Sequence, residues 1–360
     1  MTVATGLGIG HEPAPELAAQ AVSQAMERAG IEVAGSVLLV LTSEFARDPA
    51  PALRAAAKAA NCTRIIGCSA TGIFTEDDWV LDVPAAAAMV FADIIRFESP
   101  SPSDANQLLL TLAAPNAINT TWMTAPGIRF GGVSGDATGQ GPFSVWQHGK
   151  GTVLGHCEMA LQGVRGAVAA THGVRVLNMP RRVTDFQGHD LLALDGRSAL
   201  DSLHAAREGY EHLPMHYIVA VFADSVEDIG AGNYQVAPLV SGNEDTMSVT
   251  LTKQLQAGQY LSWAVREQES ALTDLQQTAV NLESRLHARP DFAMFFSCLG
   301  RGPYFYGGVD RDLGLLTTQF PGMPIIGFYG NGEIAPTMRE DRIRCELLEY
   351  SAVLGLFSRG

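Results

Sequence analysis

The chain writes one phrase twice. Residues 65–74 are IIGCSATGIF and residues 325–334 are IIGFYGNGEI. Each has two isoleucines, a glycine, four residues of polar or turn character, and a second glycine. A β-branched pair running into glycines is the pattern of a buried strand that breaks into a turn. Two copies constrain the fold only if their surroundings match, and they do. Ahead of the first, PELAAQAVSQAMERAG (15–30) has helical spacing closed by Gly30, SVLLVLTSEF (36–45) is an apolar strand, and APALRAAAKAAN (50–61) is a second helix. AAAAMVFADIIRF (85–97) follows as a strand. Around the second copy, QYLSWAVREQESALTDLQQTAVNLESRLHA (259–288) reads as a long amphipathic helix stopped by Pro290. DFAMFFSCLGR (291–301) reads as a strand, GVDRDLGLLTTQF (308–320) as a helix, and RCELLEYSAVLGLFS (344–358) as a strand. The same order occurs twice, so residues 1–97 and roughly 259–360 are expected to be related folds with equivalent IIG strands.

The architecture expected is α/β, with α+β as its variant. Duplicated strand–helix–strand–strand units would form two sheets, with helices on the outer faces and a pocket between the halves. The middle is less regular. Residues 98–127 are proline-rich and polar around one short helix, and the paired glycines of RFGGVSGDATGQG point to hairpins. HDLLALDG followed by RSALDSLHAAREGY reads as strand, turn and helix, with Ser198 and Asp201 spaced as a capping box.

Composition narrows the function. With 47% hydrophobic and 17% charged residues, the 360-residue chain can bury a sizeable core. Its net charge of -14 argues against nucleic acid and acidic membrane surfaces as partners. No apolar run reaches the ~18 to 20 residues of a membrane span. The opening MTVATGLGIGHE has neither the basic region nor the apolar core of a signal peptide. Five scattered cysteines without a CxxC pair fit free thiols in a reducing cytoplasm.

In order along the chain, RIIGCSATGIF, FGGVSGDA, LLALDGRSALDSL, YQVAPLV, FFSCLGR and IIGFYGNGEIAP resemble FIST-domain proteins over nearly the whole length. The resemblance implies an N-terminal region over 1–205 and a C-terminal region over 206–360. It also implies a cytoplasmic sensory domain in signal transduction, with a small-molecule ligand such as an amino acid or other small carboxylate. A subset of the family resembles haem-based nitric oxide sensors. Larger members carry a fused output module; none can be placed here, so a separate output protein is the expected partner. The oligomeric state stays open.

The candidate site residues cluster at the strand ends, where open α/β sheets bind ligands. They are Ser69 and Thr71 in the first phrase, and Tyr329, Asn331 and Glu333 in the second. The alternative is that these are ordinary turns whose glycines serve packing. Ser134 and Asp136 in RFGGVSGDA belong either to an anion-binding loop or to a plain hairpin turn. Cys298 and Arg301 leave the strand FFSC. Arg301 would clamp a carboxylate, or else pair with an acid such as Glu333. An enzyme using Cys298 as nucleophile or Glu333 as acid or base in the same cleft is the second reading, although no nucleophile elbow, triad order or metal motif supports it. A non-covalent haem would need an axial histidine, for which His156 and His172 are the best placed. No cofactor is expected.

Overall fold

Each IIG phrase forms a strand parallel to the apolar strand before it. The protein is described by a computed structural model covering residues 2–152, 155–339 and 342–360. The chain begins with β1 (Val3–Ile9), α1 (Pro15–Ala29), β2 (Ser36–Thr42), α2 (Ala50–Ala60), β3 (Ile65–Ala70), β4 (Gly72–Thr75), β5 (Trp79–Leu81) and β6 (Ala85–Phe91). There follow β7 (Arg96–Glu98), β8 (Leu108–Ala113), α3 (Thr120–Met123), β9 (Ile128–Val133), β10 (Val145–Gln147), β11 (Lys150–Gly151) and β12 (His156–Gln162). After β13 (Val164–Thr171) comes an insertion: β14 (Val174–Val176), β15 (Arg181–Gln187), β16 (Asp190–Leu194), β17 (Arg197–Ser198), α4 (Ala199–Ala206), β18 (Ile218–Ala223), α5 (Val226–Gly230), β19 (Gln235–Asn243), β20 (Ser248–Leu251) and β21 (Tyr260–Arg266). The last part is α6 (Gln268–Leu286), β22 (Phe292–Cys298), α7 (Arg311–Gln319), β23 (Ile325–Gly330), β24 (Glu333–Arg339), β25 (Arg342–Leu348) and β26 (Ala352–Arg359).

The repeat is threefold. Three six-stranded sheets have the orders β1-β6-β2-β3-β10-β11, β7-β12-β8-β9-β24-β25 and β13-β26-β22-β23-β4-β5. In each, the third and fourth strands are the parallel pair and the remaining neighbours are antiparallel. The last two strands of each sheet come from another repeat. β10 and β11 of the second repeat complete the first sheet, β24 and β25 of the third complete the second, and β4 and β5 of the first complete the third. Each repeat thus lends a hairpin to its neighbour, in a closed cycle.

One residue position explains why the phrase recurs. A β-carbon on Gly67, Gly131 or Gly327 would lie 1.7, 1.9 or 1.8 Å from the carbonyl oxygen of Leu39, Thr111 or Phe295 on the parallel neighbour. Only glycine allows that approach. The third copy of the phrase is therefore RFGGVSGD, which the sequence presented as a hairpin. The duplication expected from the sequence is real, since β3 and β23 hold equivalent places, but it extends to a third copy. The expectation of two sheets gives way to these three plus that of the insertion.

Alternation along the strands sends one set of apolar side chains inward. Leu38, Ile66 and Met89 of the first repeat meet Leu110, Phe130 and Met159 of the second and Met294, Phe328 and Phe357 of the third in one buried core. The outer faces of two sheets are covered by helices. α1 and α2 bury Val22, Met26 and Leu53, while α6 and α7 bury Leu282, Leu313 and Leu316. Pro15 at the first turn of α1 and Gly30 in the left-handed conformation after it (φ 68) fix that helix's ends. Among the described residues, the second repeat has there the four-residue α3, whose Trp122 packs on Val133 and Ile334.

The chain divides into two compact units, Met1–Thr171 with Leu275–Gly360, and His172–Asp274. The 205/206 boundary expected from the sequence falls inside the second of these. In the second unit the order β14-β21-β15-β16-β20-β19-β18, with β21 also pairing β18, closes an antiparallel sheet on itself around Trp263, Phe222 and Leu203. Here the sequence misled at residues 260–266: YLSWAVR is a strand rather than the start of a helix, because it pairs with β14, β15 and β18. RCELLEYSAVLGLFS likewise splits into β25 and β26 at Tyr350, whose φ is 55.

Candidate ligand site

The strand pairs end in three turns: β3 to β4, β9 toward β10, and β23 to β24. These turns are joined. The Thr71 amide donates to the Tyr329 carbonyl at 3.2 Å, and the Asn331 amide donates to the Val133 carbonyl at 3.0 Å. The equivalent Ser69 carbonyl instead accepts from the Ser134 hydroxyl at 2.6 Å, and the Ser69 and Ser134 hydroxyls lie 2.9 Å apart. Ser69, Ser134 and Tyr329 are therefore buried fasteners of the turns. At the meeting point stands Gly135. A β-carbon there would be 2.8 Å from Thr71 Oγ1 and 3.0 Å from Asn331 Oδ1, so both side chains face the space that glycine leaves. Thr71 is 6% exposed and its Oγ1 has no hydrogen-bond partner among the described residues, whereas Asn331 is open to solvent. A polar atom in that position is normally satisfied by something.

Asp136 turns into its own loop. Burial alone would raise its carboxyl, yet the Thr138 hydroxyl and the amides of Gly141, Thr138 and Gly139 outweigh it and hold it below the usual carboxylate range. Glu333 is completely buried. Burial pushes its carboxyl well up, although the Ser351 hydroxyl donates to Oε2 at 2.5 Å and the Arg301 charge pulls the other way. That favours the neutral form, which suits a hydrogen-bonding group better than a base.

Arg301 is sealed as well, at 1% exposure. Its Nε and Nη2 reach Asp312 Oδ2 and Oδ1 at 2.8 and 3.3 Å, and Nη1 donates to the Thr171 carbonyl at 2.8 Å. Tyr306 donates its hydroxyl to Asp312 Oδ1 at 2.7 Å. The acid that holds Arg301 is thus Asp312, and the pair pins the loop after β22 to the end of β13. Tyr329 donates its hydroxyl to Asp310, which caps α7 by accepting from the Leu313 amide at 2.8 Å. Burial is the main cause that pushes Asp310 up to about 6. Cys298 sits at the strand end with its amide on the Ser351 carbonyl at 3.0 Å.

Sequence reasoning missed Gly135, Tyr306, Asp310 and Asp312. Asp310, three residues before Leu313 at a helix start, carried a capping signal, and Gly135 lay in a stretch already read as a glycine-rich turn; Tyr306 and Asp312 carried none. His156 stacks on Trp122 with ring centroids 5.2 Å apart, and His172, in the second unit, lies 5.4 Å from the Tyr234 ring. Among the described residues no group of three or more His, Cys, Asp or Glu side chains is placed to hold a metal ion.

Residues 36–197 match the model of the FIST N domain and residues 199–336 that of the FIST C domain. The chain belongs to the FIST family. FIST domains are signal-transduction sensory domains. The chain is 26% identical to an uncharacterised Mycobacterium bovis protein over 92% of its own length and 94% of that protein's. It is 24% identical to an uncharacterised Mycobacterium tuberculosis protein, over 98% and 99%. Both FIST regions feed the cluster of turns: the FIST N match contains Ser69, Thr71, Ser134 and Gly135, and the FIST C match contains Tyr329, Asn331 and Glu333. No helix among the described residues is long and apolar enough to cross a membrane.

Proposed function

We propose that this FIST protein is a small-molecule-binding sensory module whose ligand sits where the three turns meet, against Thr71, Gly135 and Asn331. The observation that carries this is the unpartnered, buried Thr71 Oγ1 facing the same point as the exposed Asn331 carboxamide. Asn331 gives access from solvent, and Thr71 offers a desolvated hydroxyl with capacity to donate and accept. A small carboxylate, such as an amino acid, fits these neutral polar contacts. Because the turns fasten all three sheets together, a ligand there touches every repeat at once. The module then works in the cytoplasm and passes its state to a separate output protein. Native mass spectrometry of freshly purified protein tests this. A bound small molecule is expected on the wild type and absent from Thr71→Val, with unchanged melting of the unliganded forms. A bound molecule retained equally by Thr71→Val would move the site elsewhere.

A further inference from the structure

At the opposite ends of β22 and β23 from the turns, the compact unit Met1–Thr171 with Leu275–Gly360 carries an open cavity of about 270 Å³. This is just under the roughly 300 to 1,000 Å³ of typical small-molecule pockets. Its walls are made by the residues leading into β22 and β23 and by the end of β26, with Val3 beside them. Pro290, Pro321, Pro324 and Met323 give it an apolar lining, whose prolines are conformationally restricted. Three charged side chains line it. Asp291 is answered by Arg359, whose Nη2 lies 3.2 Å from Oδ1 and whose Nε also donates to Oδ2. Among the described residues, Nη1 of Arg359 takes no part in that pairing and makes no hydrogen bond of its own. Arg289 has no acid within ion-pair distance among the described residues, so the cavity holds one surplus positive charge in a protein of net charge -14.

We infer that this cavity is a second ligand site, for a small organic oxyanion: a carboxylate or phosphate carried on an apolar body. Arg289 and the outer nitrogen of Arg359 take the oxyanion, which suits a planar guanidinium fork. The proline- and methionine-lined wall takes the body. The inference is independent of the site at the turns.

The test is calorimetric titration with benzoate and phenyl phosphate, and with neutral benzamide as control. One or both anions should saturate a single site, more weakly as salt rises, while benzamide shows no saturation. Arg289→Gln should weaken the anion about tenfold to a hundredfold, and Arg289→Glu should abolish it. Arg289 is exposed, so both variants should keep the wild-type urea midpoint, and Gly135→Ala should bind as the wild type does. Equal binding by Arg289→Gln, equal binding of benzamide, or no saturable binding of either anion would overturn the inference.

Discussion

Arg301 carries its charge inside the protein, where a lone guanidinium would be untenable. The two bonds to Asp312 and those to Thr171 compensate its burial. Removing one partner of such a pair leaves the other buried and uncompensated. Arg301→Gln is therefore expected to destabilise the fold by about 3 to 5 kcal/mol, read as a lower urea midpoint. Arg301→Lys should rescue little, because an ammonium cannot reproduce the fork on Asp312. A wild-type midpoint for either would contradict the structural role. Asp310 gives a prediction with a sign. Its folded value, about 6, is raised above the ordinary 3.8, so the folded state holds this proton more tightly than the unfolded chain. Its contribution is fully present below about pH 4 and is lost as pH rises through 6. Asp310→Asn keeps an acceptor for the Leu313 amide without the buried charge. It should be more stable than the wild type at pH 8, by up to roughly 3 kcal/mol, with the gap closing toward pH 4. A variant gap that does not shrink on acidification would count against this assignment.

At the scale of elements, the parallel strand pair with a glycine under its neighbour's carbonyl is the unit of construction. Gly327→Ala puts a methyl group 1.8 Å from the Phe295 carbonyl, between two strands that cannot separate without breaking their ladder. It should cost more than the roughly 1 to 3 kcal/mol of ordinary overpacking. Gly67→Ala and Gly131→Ala should be comparably severe, as measured by soluble yield and melting temperature; mild effects at Gly131 alone would deny the second repeat its equivalence. The IIG phrases made this unit legible in sequence, because hydrophobic runs and glycines report local burial and close approach. The third copy was hidden for a physical reason. RFGGVSGD replaces the isoleucine pair with Arg129 and Phe130, and the arginine is buried by its bond to Glu158 and by the carbonyls of Ala125 and Gly127. That repeat also lacks the two long helices whose spacing announced the others. The exchange of hairpins between sheets leaves no periodic trace, so strand partners could not be read. At the site, the turn glycines and polar residues were visible, but Asp312 as the partner of Arg301 depends on how a loop folds back, which spacing does not encode.

On the scale of the whole molecule, the three repeats share one core while the segment 172–274 keeps its own. The two ends of that segment are tied by the His172 amide donating to Asp274 at 2.8 Å. Replacing residues 172–274 with a short glycine–serine linker should leave a soluble three-repeat core with a cooperative melt; an aggregated or molten product would show that the repeats are not self-sufficient. The sensory proposal rests on the point where the repeats meet, and Gly135→Ala probes that point alone. The added methyl displaces only the ends of the Thr71 and Asn331 side chains. The decisive measurement is the affinity of the co-purifying small molecule for wild type and Gly135→Ala, alongside the melting temperature of each without ligand. The account predicts affinity lost at least tenfold with the unliganded melting temperature unchanged, whereas undiminished affinity in the variant would contradict it.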